Sequence, residues 1–199
     1  MKNVVILQVK KSNNDFMEYI KQRFNVDKAI QSILYIASRL QRKDFHKILK
    51  ILYFSDRNHL AKYSRSITGD TYIAMKDGPV PSNIYDILKA MRGDGFFANN
   101  VQQFAEYFKI VNYNFVQPLK EADLDYLSES DLQEINDSLA KYGNLSWDEV
   151  REKSHDYAWR NTAQGYPISI ENMLLENGEN SDYIDFVKEQ VLLNNFVAV

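Results

Sequence analysis

Cysteine is absent from the sequence. That excludes disulfides, thiolate metal sites and a cysteine nucleophile, and it points to a reducing compartment. Proline and glycine are scarce, four and seven among 199 residues, which argues against disorder and against a turn-rich all-β fold. Histidine occurs only at positions 46, 59 and 155. No stretch approaches the ~20 apolar residues of a membrane span. The run Val4–Leu7 is far shorter than the apolar core of a secretion leader, and no small-residue cleavage site follows it. The expectation is a cytoplasmic protein with no membrane partner.

Against these absences stand 45% hydrophobic and 13% aromatic residues, enough for a sizeable core. The length suits one domain with small attachments. Net charge is −3, unevenly divided: residues 1–70 carry 14 Lys/Arg against 6 Asp/Glu, and residues 71–199 carry 10 against 21. Such a split steers a charged partner or draws the halves together, although solvated faces of unlike sign are the simpler account.

The N-terminal VVILQV reads as a short strand, Ser12–Asp15 as a turn and Phe16–Phe24 as a short helix. The first strong helix spans about Asp27–Gln41, with Ile30, Ile33, Leu34, Ala37 and Leu40 on one buried face. Asp44 caps a longer helix reaching Tyr63. Its stripe is Phe45, Ile48, Leu49, Leu52, Asp56, His59, Leu60 and Tyr63, widened by Ile51 and Phe54. Two polar groups, Asp56 and His59, thus sit on an apolar face and need partners there.

Gly69 and Asp70 form a turn before a short strand over residues 71–76, and the Gly78-Pro79-Val80-Pro81 corner follows. Proline fixes its own φ and restricts the residue before it, so this corner is stiff. Ser82 is read as the cap of a helix over Asn83–Met91. A hairpin is expected near 104–117, with its turn at Asn112. Ser128 with Asp131, and Ser146 with Glu149, have capping-box spacing and open two further helices. Gly143 is read as a C-cap. Ile168–Leu175 reads as a short helix, and Ser181 caps a last helix with Ile184, Val187 and Val191 inward. The fold class is therefore mainly α (α+β), a single helical domain with a small antiparallel β element. The division is an appendage over 1–26, a helical domain over 27–170, and a C-terminal helix and apolar tail over 171–199 packed on the same domain.

The chemistry-bearing residues give few sites. His46 and His59 lie about 20 Å apart along one helix and cannot share a metal. A metal site would need His59 or His155 with carboxylates brought in by folding, and no metal or cofactor is expected. Asp56 and His59 are three apart on one face, within reach of each other. They read as an acid/base pair, or as a buried structural pair fixing the turn after Tyr63 and meeting Asp70 or Tyr72. The structural reading is preferred because no nucleophile motif or phosphate loop accompanies them. The positive balance of residues 1–70, with Lys43, Lys47, Lys50 and Arg57 on the second helix, is the case for nucleic-acid binding. Against it stand a pI near 5.7 and no recognisable reading motif. The apolar end Phe196–Val199 either docks on the core, pairs as an edge strand, or is an exposed tail read by a protease.

The order LYFSDRNHL, then ITGDTYIAMKDGPVPSNIYDIL, resembles the signature of the Panacea domain, the SocA-like and phage-associated antitoxin family. A second block, LSESDLQEINDSLAKYGNLSWDEVREKSHDYAWRNT, is similar to that family's later half, with its His155 and Trp159 pair. The resemblance covers about residues 28–160. It implies a mostly helical domain that neutralises a toxin encoded beside it by direct contact, in some relatives by delivery to a cellular protease. It carries no catalytic residues. The family-motif or partner-binding set it suggests is Tyr53, Asp56, His59, Gly69, Asp70, Tyr72, Met75, Gly78, Pro79, Val80, Pro81, Tyr85, His155 and Trp159. The alternatives are a prophage regulatory DNA-binding protein and a small hydrolase using Asp56 and His59.

Overall fold

A computed structural model describes residues 7–10, 16–94 and 101–197. The chain opens with an antiparallel pair, β1 (Leu7–Lys10) and β2 (Phe16–Tyr19), in register Leu7↔Tyr19 to Lys10↔Phe16. The helix expected over Phe16–Phe24 is not formed. So short a helix is marginal by itself, whereas pairing with the upstream segment satisfies the same backbone groups between strands. Residues 1–6 of the expected first strand, and the turn residues 12–15, lie outside the described residues.

The side chain of Asn25 caps α1 (Val26–Arg39), and Asp44 caps α2 (Phe45–Tyr63) by accepting the Lys47 N–H at 3.1 Å. Fifteen of the 19 residues in α2 are buried, the mark of a helix enclosed on every side. It packs against α1 and the later helices α3 (Ser82–Arg92), α4 (Glu129–Tyr142), α5 (Trp147–Ser154) and α7 (Ile170–Glu176). Its predicted stripe holds from Phe45 to Leu60. Tyr63, at the C-terminal end, is largely exposed.

Strand β3 (Tyr72–Met75) pairs with β4 (Gly78–Pro81), register Tyr72↔Pro81 to Met75↔Gly78. The stiff corner of the sequence is therefore the second strand of a tight hairpin, turning at Lys76 and Asp77. A second hairpin joins β5 (Phe108–Val111) and β6 (Phe115–Pro118), with Asn112 and Tyr113 at positive φ in its turn. It starts later than expected because residues 102–104 form a 3-10 turn. The remaining helices are α6 (Tyr157–Arg160) and α8 (Ser181–Val197). The described residues thus hold eight α-helices and three two-stranded antiparallel sheets, a mainly α fold with small β elements.

Both capping boxes form, Ser128 with Asp131 and Ser146 with Glu149. Two other cap assignments, Ser82 and Ser181, are corrected, and the third, Gly143 as a C-cap, holds without a left-handed turn. Ser82 makes no cap bond; the N–H groups of α3 turn instead to Asp70. Asn180, rather than Ser181, accepts the Tyr183 N–H and opens α8. Gly143 is the C-cap of α4 as expected, its N–H donating to Leu139 O, but with a right-handed φ of −60°, and the carbonyls of Tyr142 and Leu145 are met by the buried ammonium of Lys47. A lysine amine at a helix C-terminus takes over what a left-handed glycine would otherwise do. Ile184, Val187 and Val191 of α8 are buried as expected. That helix runs through Val197, which removes the edge-strand reading for Phe196 and Val197. Ala198 and Val199 lie outside the described residues.

Candidate functional site: the α2–β3–β4–α3 unit

Asp56 projects from α2 into the loop that follows the helix. It is almost wholly buried and accepts four hydrogen bonds, from Ile67 N (2.7 Å), Thr68 N (3.1 Å), Thr68 Oγ1 (2.6 Å) and Tyr72 Oη (2.8 Å). Burial pushes its carboxyl above the usual range, and these four donors pull against that shift. Tyr72, equally buried, is pushed well above its ordinary value by burial and by the carboxylate it faces.

Asp70 lies at the end of the same loop, after Gly69, whose φ is +69° and where a Cβ would run into the backbone carbonyl of Arg23. Its carboxylate accepts Thr71 N (2.7 Å), Asn83 N (3.0 Å), Asn83 Nδ2 (2.8 Å) and Ile84 N (2.8 Å). It thereby caps α3 from outside the helix, placing a negative charge at the positive end of the dipole. Burial raises this carboxyl too, against the pull of the amide donors.

His59 does not meet Asp56. Its Nδ1 faces Arg65 O at 2.7 Å, and its Nε2 faces Ser130 Oγ at 3.0 Å and Asp131 Oδ1 at 3.1 Å. The acid/base pair suggested by the spacing is thus absent. Each residue is engaged elsewhere: Asp56 by the N–H groups of Ile67 and Thr68 and the hydroxyls of Thr68 and Tyr72, His59 by Arg65 O, Ser130 and Asp131. The part of the structural reading that holds is that Asp56 meets Tyr72 and His59 fastens the turn after Tyr63. Asp131 also receives Lys28 and Arg65. Burial works against its charge, but the hydrogen bonds of His59, Lys28 and Ser128 N hold the carboxyl well below its usual range.

The other side of α2 carries a second polar layer that the sequence did not reveal. Tyr53 Oη donates to Asp156 Oδ2 at 2.7 Å, and Arg57 Nη1 donates to the same oxygen at 2.6 Å. Asp156 Oδ1 accepts the Trp159 N–H at 3.0 Å and so caps α6. Lys50, also buried, donates to Pro79 O at 2.8 Å; burial lowers its pKa to about 7. At Gly78, φ is +95°, and a Cβ would collide with Ser154 Oγ and come within 2.9 Å of Lys50 Nζ. Lys47, Lys50 and Arg57, the cations offered for nucleic-acid contact, are therefore interior. Their aliphatic stems follow the apolar face while the heads find carbonyls or a carboxylate.

Toward solvent, the Trp159 indole N–H donates to Met75 O at 2.8 Å, and His155 stacks on the Trp159 ring at 3.8 Å. Residues 165–168 run beside β3: Gly165 N donates to Ala74 O, Ala74 N to Tyr166 O, and Ile168 N to Tyr72 O. β3 thus lies between two extended neighbours. Of the residues singled out from the sequence, Tyr53, Asp56, His59, Asp70, Tyr72, Gly78, Pro79 and Pro81 are interior parts of this unit. Val80, Tyr85, His155 and Trp159 are half-buried, and Met75 is 43% exposed. Among the described residues no three His, Asp or Glu side chains come together to hold a metal ion. No helix there is long and apolar enough to cross a membrane.

The family model described as "Antitoxin SocA-like, Panacea domain" matches residues 48–160. That span contains most of α2, the whole β3–β4–α3 unit and the Asp156–Trp159 layer. No curated protein and no solved structure matches the chain.

Proposed function

The chain belongs to the SocA-like Panacea antitoxin family, and from that premise we propose that it neutralises one cognate toxin by direct protein–protein contact. The toxin is the product of an adjoining gene, and the encounter takes place in the cytoplasm. The protein acts as a binder and performs no chemistry of its own. Delivery of the bound toxin to a cellular protease is a further step open to the same complex.

The observation that carries this reading is the state of the motif's polar groups. Asp56, Asp70, His59 and Asp156 are all buried and each is engaged by several partners inside the fold. A general acid or base must reach a substrate proton, and these groups are turned to backbone and side-chain partners inside the fold. What the motif leaves at the surface is a rigid hairpin rather than a reactive cleft. A rigid surface loses little conformational entropy on association. The DNA-regulator alternative is weakened, since three of the four helix cations offered for it are interior.

Co-expression tests the reading. The adjoining small open reading frame, induced alone, should arrest growth, and co-expression of this chain should relieve the arrest. Arrest that persists with this chain present at normal levels would remove the antitoxin reading.

A further inference from the structure

A cavity of about 380 Å³ lies between the segment that precedes α1, the loop that follows α2, and α8. Its volume falls within the range of small-molecule sites. Ile67 and Val191 give it some apolar wall, but most of its lining is polar.

The charge of that lining has one sign. Lys28 and Arg65 both reach it, and no Asp or Glu among the described residues does. Both cations contact Asp131, which is fully buried and forms no part of the wall. Two positive charges therefore share one carboxylate. Arg65 turns its second amino group to neutral hydroxyls, those of Ser128 at 3.2 Å and Ser130 at 3.5 Å. The Lys28 side chain remains 21% exposed and that of Arg65 37% exposed, so a dissolved ligand can reach both. Arg23 stands at the wall as well.

The amide side chains are oriented in the same sense. Gln22 Oε1 accepts the N–H and the hydroxyl of Ser66, at 2.9 and 3.0 Å. Asn25 Oδ1 accepts the Lys28 N–H at 3.0 Å in capping α1. A backbone N–H can only donate, so both amides must turn their oxygen to the protein and keep their NH2 group in hand. Neither NH2 group has an acceptor among the described residues. From α8, the exposed Asn194 lines the same cavity. The cavity thus gathers cationic and neutral donors from separate segments, with the matching acceptors spent inside the fold.

We propose that this cavity is a binding site for phosphate, either the free ion or the phosphate group of a small molecule. Lys28 and Arg65 meet its charge, and the Gln22 and Asn25 amides donate to its oxygens. A tetrahedral phosphate accepts from several directions at once, which suits donors that arrive from different segments. The site is separate from the β3–β4 hairpin and does not depend on the antitoxin reading. Because its wall includes α8 and the loop that Asp56 and Asp70 hold, occupancy ties that helix to the core and stabilises the fold.

The test uses the full chain, with titration calorimetry and thermal unfolding. The probes are inorganic phosphate, adenosine 5′-monophosphate, adenosine, and sodium chloride at matched ionic strength. Phosphate at about 10 mM should raise the unfolding midpoint by ~2 °C or more, and chloride should not. Tighter binding of the monophosphate than of phosphate makes an organic phosphate the ligand; equal or weaker binding makes it the free ion. Asn25→Asp keeps an acceptor for the Lys28 N–H, and so keeps the cap, but exchanges the free donor for a carboxylate oxygen. Asn194→Asp adds a carboxylate from the α8 side. Each should weaken phosphate binding by about tenfold or more, without lowering the midpoint of the unliganded chain. Asn112→Asp, the same change in the exposed turn between β5 and β6, should bind as wild type. Three results would each overturn the assignment. They are a midpoint shift no larger than that from chloride, adenosine binding as well as its monophosphate, and phosphate binding in Asn25→Asp or Asn194→Asp no weaker than in Asn112→Asp.

Discussion

The carboxylate of Asp70 accepts the backbone N–H of Ile84 at 2.8 Å, across fourteen positions of sequence. One short loop thereby sets where α3 begins, and α2 holds the same loop through Asp56. The dense motif is a joint between two helices and a hairpin, locked by two carboxylates that both point inward.

Asp70→Ala should remove the external cap of α3 and leave the N–H groups of Asn83 and Ile84 without an acceptor. The expected loss is about 2 kcal/mol of stability, measured by denaturant unfolding. Faster amide exchange at the start of α3 should accompany it. Asp70→Asn should lose less, because one amide oxygen still accepts.

Asp56→Ala should be more severe, on the order of 3 kcal/mol or more, since four donors lose their acceptor in the interior. Tyr72→Phe removes one of those donors and should cost about 1 kcal/mol. Introduced after Asp56→Ala, Tyr72→Phe should cost almost nothing, because its partner is already gone. Additive losses in this cycle would contradict the observed hydrogen bond.

Lys50 gives a pH signature of definite sign. Burial lowers its pKa from 10.5 to about 7, so between these values the unfolded chain holds a proton that the folded one has released. Stability from this group therefore rises as pH increases from about 7 to about 10.5, and is flat below. Lys50→Met should be more stable than wild type at pH 7, by roughly 2 kcal/mol after allowing for the unpaired Pro79 carbonyl. The gap should close by about pH 10. His46, lowered by burial from 6.5 to about 4, contributes a separate rise between those two values. Urea unfolding of wild type and Lys50→Met across this range resolves the two windows.

Gly78 and Gly93 have nearly equal φ, +95° and +94°, but different surroundings. A Cβ at Gly93 meets open space, whereas one at Gly78 meets Ser154 and Lys50. Gly93→Ala should cost about 1 kcal/mol from backbone strain alone. Gly78→Ala should cost clearly more, and adding Ser154→Ala should recover part of the difference. Equal costs at the two positions would show that the close approach at Gly78 does not matter.

The parts of this fold that were legible in the sequence are those that local chemistry dictates. Asp44 ahead of α2, Ser128 with Asp131, and Ser146 with Glu149 each cap the helix that follows within three or four residues. The buried face of α1 shows in its 3.6-residue period. What stayed hidden depends on residues far apart in the chain. Ser82 is a natural cap by its position, yet Asp70 does the work because the loop brings a full carboxylate to the same N–H groups. Pro79 and Pro81 disguise β4, since proline is a poor strand residue unless the strand is an edge. Lys47 and Lys50 look like surface cations because their long stems are invisible as apolar surface in a charge count. Asp156 gave no signal beyond its place one residue after His155, and only the fold brings Tyr53 and Arg57 to it.

On the proposed reading, the buried polar groups of this motif build a scaffold for binding, and neutralisation needs contact alone. The most direct measurement mixes the purified chain with its purified toxin, in the absence of any protease, and follows both complex formation and toxin activity. The account predicts a stable complex in which the toxin is inactive and both chains remain intact. Full toxin activity alongside excess intact chain, with no complex on sizing or titration, would contradict it.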